Sequence, residues 1–141
     1  MTVITTPRPT GHPGYSVTLP REPRSAPTAR GLVRTALTAW GVGPESIDDG
    51  TLILSELVSN AVQHARLTSM RVLVTRPTLT TVVLGVVDRS TSIPLLRTDS
   101  NGDQVQGRGL LLVDALSDRW GTELYRWGKQ VWSELGTEAD S

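Results

Sequence analysis

The chain has 141 residues, which is enough for one domain with a sizeable core and too few for two. Lys plus Arg and Asp plus Glu both total 14, so the formal net charge is +0 and no concentrated positive field marks a nucleic-acid or anionic-membrane surface. Cysteine is absent, which excludes disulfides and thiolate metal sites and is compatible with a reducing cytosol.

The opening stretch, MTVITTPRPTGHPG, lacks the basic start and apolar core of a signal peptide. No apolar run approaches ~20 residues, so a soluble, cytoplasmic protein without a membrane span is expected. Six of the nine prolines fall at or before Pro27, and residues 1–14 are expected to form a disordered tail. Tyr15, Val17 and Leu19 alternate with polar residues as a half-buried strand does, and Pro20 and Pro23 stop it. From Ala29 the apolar positions Leu32, Val33, Ala36, Leu37 and Trp40 follow helical spacing, with Gly41 placed as a C-terminal stop. Pro44 suits the first turn of a second helix, and Glu45, Asp48 and Asp49 favour its positive end.

That second helix carries SELVSNAVQHA, residues 55–65. At about 100° per residue its core stripe is Leu54, Leu57, Val58, Ala61 and Ala65, while Glu56, Asn60 and Gln63 share a stripe to one side. An acid and an amide at this spacing can be a plain surface pair worth a few tenths of a kcal/mol. Met70, Val72 and Val74 then alternate as a strand, Pro77 and Thr78 are read as its turn, and VVLGVV from Val82 to Val87 is apolar throughout, as a central strand is. After Asp88 comes an 18-residue polar stretch, RSTSIPLLRTDSNGDQVQ, of the length that often serves as a lid. Gly107, Arg108 and Gly109 then open a short apolar helix through about Leu116. A hairpin, TELYRW and KQVWSEL around Gly128, closes the domain, and the last charged residues form a tail. The element order does not alternate strictly enough for a doubly wound parallel sheet. It predicts an α+β two-layer sandwich, a mixed and mostly antiparallel sheet with the helices on one face. The expected domain runs over 15–136, with 137–141 as the C-terminal tail.

Several familiar sites are missing. There is no GxxxxGK[ST], and the G-R-G-L-L-L run would need a glycine at Leu112 and a preceding strand to make a dinucleotide fingerprint. The histidines are His12, in the expected tail, and His64, which reads better as a packing or capping residue than as a catalyst. Three further signals each have a plain structural reading: Asp88 as a turn residue, and Gly107 and Gly109 as relief at a tight helix start. Taken together with Glu56 and Asn60 they suggest a nucleotide pocket. Backbone N–H groups at a helix N-terminus hold phosphates, Asn60 offers a neutral oxygen suited to Mg²⁺, and Glu56 offers a base nearby.

SELVSNAVQHA, VVDRSTSIP and GRGLLLVDALSDRWG, in this order and followed by GKQVWSEL, resemble the small ATP-binding proteins of the gyrase, histidine kinase and mismatch-repair ATPase superfamily. Within it they are most similar to the stand-alone anti-sigma-factor-type serine/threonine protein kinases of bacteria, from roughly Tyr15 to Leu135. The resemblance implies the Bergerat fold, with ATP and Mg²⁺ as cofactors. By motif position it implies Asn60 as the magnesium ligand, Glu56 as catalytic base, and Asp88 as reader of the adenine amine. Gly107 and Gly109 become the hinge glycines beside a lid from Arg89 to Gln106, with Arg108 and Leu110 in the same nucleotide-binding segment. Two positions depart from the family pattern: Ser90 stands where Asp-x-Gly would have glycine, and Gln130 stands where threonine often follows the hairpin GK. Both are expected to bear on adenine binding.

The implied function is phosphorylation of a serine on an antagonist (anti-anti-sigma) protein so as to control a sigma factor, with a homodimer as a family expectation. The alternative is a non-catalytic, nucleotide-sensing module in which ATP only reshapes a partner surface. An autonomous sensor histidine kinase is disfavoured, because the segment before Tyr15 is too short for a phosphoacceptor hairpin.

Overall fold

The computed structural model of the chain describes residues 4–7, 13–64, 68–88 and 104–137. Nine elements follow in order: β1 (Ile4–Pro7), β2 (Gly14–Pro20), α1 (Ser25–Ala39), α2 (Pro44–His64), β3 (Ser69–Thr78), β4 (Thr81–Asp88), α3 (Gln104–Leu116), β5 (Arg119–Tyr125) and β6 (Gly128–Gly136). The strands form one sheet in the order β1-β2-β3-β4-β6-β5. Every ladder is antiparallel, so the sheet is the mostly antiparallel one expected, with no parallel pair among the described residues. The helices form the second layer.

Period-two burial fixes which sheet face meets them. Val82, Leu84 and Val86 on β4 stand in register with Leu135, Ser133 and Val131 on β6, and Val86 and Leu84 with Val72 and Val74 on β3. Apart from Ser133, which is also buried, these residues belong to one core with Val33 and Leu37 of α1, Ile53, Leu54, Leu57 and Val58 of α2, and Val113 of α3. Each fully buried aliphatic side chain of this kind contributes roughly 1.5–3 kcal/mol. On the other face of β4, Val83 and Val87 are only half-buried, so the apolar run reflects a central strand covered by helices on one side.

Local chemistry sets the helix limits. Helix α1 starts at Ser25, four residues ahead of the expected Ala29, because Pro27 falls in the first turn, where a missing N–H costs nothing. Ser25 Oγ donates to the Pro20 carbonyl at 2.6 Å and ties that turn to the end of β2. At its other end Gly41 adopts φ 74°, with Gly41 N donating to Thr38 O and Val42 N to Leu37 O. This is a Schellman closure, and it supports the stop read from Gly41. Helix α2 begins at Pro44 with Glu45 in its first turn, as expected. It crosses the sheet between α1 and α3, packing on β4 and β6. The packing against α1 is close at Gly50, where a Cβ would meet Leu37 Cδ2 and Val33 Cγ1 in ordinary contact at 3.4 Å.

Besides the start of α1, three boundaries differ from the sequence reading. Pro77 and Thr78 belong to β3, and the turn is at Leu79 and Thr80, because an irregularity between Thr75 and Thr78 removes the ladder bond that Pro77 cannot make. Ile4–Pro7, within the stretch read as tail, pair with β2 as an edge strand, the β-branched Ile4, Thr5 and Thr6 outweighing the neighbouring prolines. Helix α3 begins at Gln104, so Gly107 and Gly109 lie inside it. Residues 89–103 of the expected lid, with Arg89 and Ser90, lie outside the described residues, as do His12, Ala65 and the last four residues of the expected tail.

Candidate functional site

The side stripe of α2 is where the sequence put it, and it runs from a half-buried Glu56 through a buried Asn60 to an exposed Gln63. Leu54, Leu57, Val58 and Ala61 are buried in the core, Asn60 is 8% exposed and Glu56 is half-buried, while Gln63 at the end of the stripe is exposed. A carboxamide with so little water access and a hydrogen-bonding or electrostatic partner is a built feature of the interior. His64 is half-buried in the last helical turn, where a positive or polar group suits the helix C-terminus.

The other expected residues come from α3 and the centre of the sheet. Leu110 is buried under α3, which packs beside α2. Because α3 opens at Gln104, its unpaired N–H groups among the described residues belong to residues 104–106, and Gly107 lies past them, inside the helix and not at its start. Arg108 and Gly109 lie in the second turn. At the end of β4, Asp88 is 3% exposed and follows Val82, Leu84 and Val86 on the helix-facing side. It also lines a depression of about 230 Å³ with Met70, Arg71 and Trp127.

The ladder opposite Asp88 sets Lys129 beside it and Gln130 on the other face. Asp88 is in register with Lys129, and Gln130 is in register with Val87. Side chains alternate across a strand, so Gln130 points to the face away from the helices and away from Asp88. A Cβ added to Gly85 would come within 3.0 Å of Gln130 Nε2, which locates the amide on that outer face. The residue on the inner face beside Asp88 is Lys129, at 1% exposed one of the largest fully buried side chains. Burial holds its ammonium below the usual lysine range, and the Asp88 carboxylate opposes only part of that shift. The sequence reading overlooked Lys129, although Lys129, Val131, Ser133 and Leu135 alternate with the polar or larger Gln130, Trp132 and Glu134.

No cluster of three or more His, Cys, Asp or Glu capable of holding a metal ion occurs among the described residues. A divalent ion here would therefore rest on one or two protein oxygens and on phosphate, which is how Mg²⁺ is commonly bound, and the buried Asn60 amide beside Glu56 fits that demand.

Comparison with known proteins identifies the family and the fold. Residues 19–132 match the histidine kinase-like ATPase domain. The chain belongs to that family. A similar solved structure, that of the RsbU and RsbW domains of Rv1364c from Mycobacterium tuberculosis, superposes with a TM-score of 0.65 at 22% identity, covering 89% of this chain and 33% of that one. The chain thus spans about a third of its structural neighbour. No curated protein matches the sequence. The family and the neighbour agree on the Bergerat-type sandwich, and a histidine kinase-like ATPase domain is an ATP-binding one. No helix among the described residues is long and apolar enough to cross a membrane.

Proposed function

We propose that this chain binds Mg²⁺ and ATP and transfers the γ-phosphoryl group to a serine of an antagonist protein, thereby controlling a sigma factor. The carrying observation is the joint placement of Glu56 and the buried Asn60 on α2, beside α3, in a chain of the histidine kinase-like ATPase family. The neighbour's RsbW domain supports the regulatory side of the reading.

In this reading the N-terminal amides of α3 hold phosphate oxygens, Asp88 accepts from the adenine amine, and Asn60 supplies the protein oxygen to Mg²⁺. The ion would neutralise phosphate charge during transfer. Glu56 accepts the proton from the attacking serine hydroxyl as its oxygen bonds to the γ-phosphorus and the bond to the leaving ADP oxygen breaks. Such transfer depends chiefly on positioning and charge stabilisation, which a rigid helix pair is suited to provide.

Calorimetric titration with ATP, with and without Mg²⁺, followed by labelled γ-phosphoryl transfer to candidate serine-bearing antagonists, tests the proposal. Metal-dependent binding with transfer is the expected result. Binding without transfer to any antagonist would reduce the chain to a nucleotide-sensing switch, and no binding at all would overturn the reading.

A further inference from the structure

Asp88 and Lys129 are direct cross-strand neighbours on the helix-facing side of the sheet, 3% and 1% exposed. Directly opposed residues have Cβ atoms about 4.5–5.5 Å apart, so the two side chains leave the sheet side by side, and the Asp88 charge reaches the Lys129 ammonium. A buried ion pair is often no more stabilising than an apolar pair of the same volume, so stability alone gives little reason for one at this spot. Its chemistry is more specific. An acceptor next to a donor is the complement of a donor next to an acceptor, and adenine presents such an edge: its exocyclic amine donates, and the ring nitrogens N1 and N7 on either side accept.

We infer that Lys129 is a specificity-determining residue of the nucleotide site, its Nζ donating to the ring nitrogen that flanks the adenine amine while Asp88 accepts from that amine. The inference rests on the proposed ATP site and deepens it. It also gives the neighbouring departure from the family pattern a physical setting: Gln130 faces outward, so Lys129 is the hairpin residue beside Asp88. Guanine would oppose the pair, since O6 places an acceptor against the carboxylate and, where the ring nitrogen is N1, N1–H sets a donor against the ammonium. A neutral donor at position 129 would offer a weaker hydrogen bond, because a charged donor strengthens it about twofold.

The test uses the full-length chain and calorimetry at fixed Mg²⁺ with four ligands: ATP, 1-deaza-ATP, 7-deaza-ATP and GTP. The wild-type chain is expected to bind ATP, to lose about tenfold or more with one of the two deaza analogues, and to bind GTP more weakly still. Lys129→Met is expected to bind ATP about as weakly as the wild type binds that analogue, and to stop distinguishing the two. Equal wild-type affinity for ATP and both analogues overturns the inference without any variant needing to fold. Discrimination that persists undiminished in Lys129→Met overturns it as well. A wild-type chain that binds no ATP sinks the parent reading and this one with it, whereas ATP binding without discrimination sinks this one alone.

Discussion

Gln130 lies across Gly85 on the sheet face opposite the helices, close enough that a Cβ at Gly85 would reach 3.0 Å from its Nε2. Position 130 is therefore separated from Asp88 by the thickness of the sheet. Gln130→Thr is predicted to leave ATP affinity within about twofold of wild type, a change under ~0.5 kcal/mol, because no inward contact is altered. A marked tightening or loosening by calorimetry would mean that the ladder slips by one residue when nucleotide binds, since such a slip exchanges the two faces.

Asn60→Ala bears on both stability and binding. The carboxamide is buried, so its removal leaves partners unsatisfied and is expected to cost about 1–3 kcal/mol in unfolding free energy. Its separate signature is the loss of metal dependence: ATP affinity in the variant should be nearly the same with and without Mg²⁺. A variant that melts lower but keeps the wild-type response to Mg²⁺ would make Asn60 purely structural.

Much of this arrangement is legible in the residues. Apolar periodicity places α2 and its two stripes, Gly41 marks the end of α1, alternation in β2 and β3 names inward residues that lie in or against one core, and the unbroken apolar run of β4 marks it as central. What the sequence left out depends on pairing between distant segments. The burial of Asn60 depends on how tightly α2 sits against its neighbours, which the helix pattern does not encode. The facing of Lys129 follows from its own strand's alternation, yet its meaning emerges only when β6 is set against β4 and Asp88 appears opposite. Helix α3 starts at Gln104, three residues ahead of the expected Gly107, because glycine lowers local helix propensity by about 1 kcal/mol and so hides the earlier start. Packing of α3 beside α2 and β5 overrides that preference.

Glu56→Gln keeps shape and hydrogen-bonding capacity while removing the proposed base. It is predicted to bind ATP as wild type does and to transfer phosphoryl roughly 10²–10⁴-fold more slowly to an accepted antagonist. Single-turnover measurement separates this from a binding defect. Equal transfer rates would take Glu56 out of the mechanism and leave positioning to carry it.

Asp88→Ala removes the proposed acceptor for the adenine amine and leaves the buried Lys129 ammonium without its opposing carboxylate. A hydrogen bond to a charged group is worth about 1.5–3 kcal/mol, so ATP affinity should fall about ten- to a hundredfold. Inorganic triphosphate, which lacks the base, should bind the variant and the wild type alike. A parallel loss of both ligands would instead report collapse of the pocket.

The buried ammonium also makes a prediction about pH. Lys129 is shifted below its ordinary 10.5 because burial disfavours the charged form by more than Asp88 favours it. Between the lowered folded-state value and 10.5 the unfolded chain binds more protons than the folded one, so this group makes stability rise with pH across that window. Below the window both states are protonated and the penalty is constant; above it both are neutral. The comparison is with Lys129→Met, which keeps most of the volume and cannot titrate, so that every other alkaline group cancels in the difference. Subtracting the variant's unfolding free energy from that of wild type, by urea titration at a series of alkaline pH values, should give a curve that is flat near neutrality and then climbs, with a slope no steeper than ~1.4 kcal/mol per pH unit for one proton. A difference that falls with pH would reverse the balance, showing that attraction to Asp88 outweighs burial and that the folded state holds the Lys129 proton more tightly than the unfolded chain does.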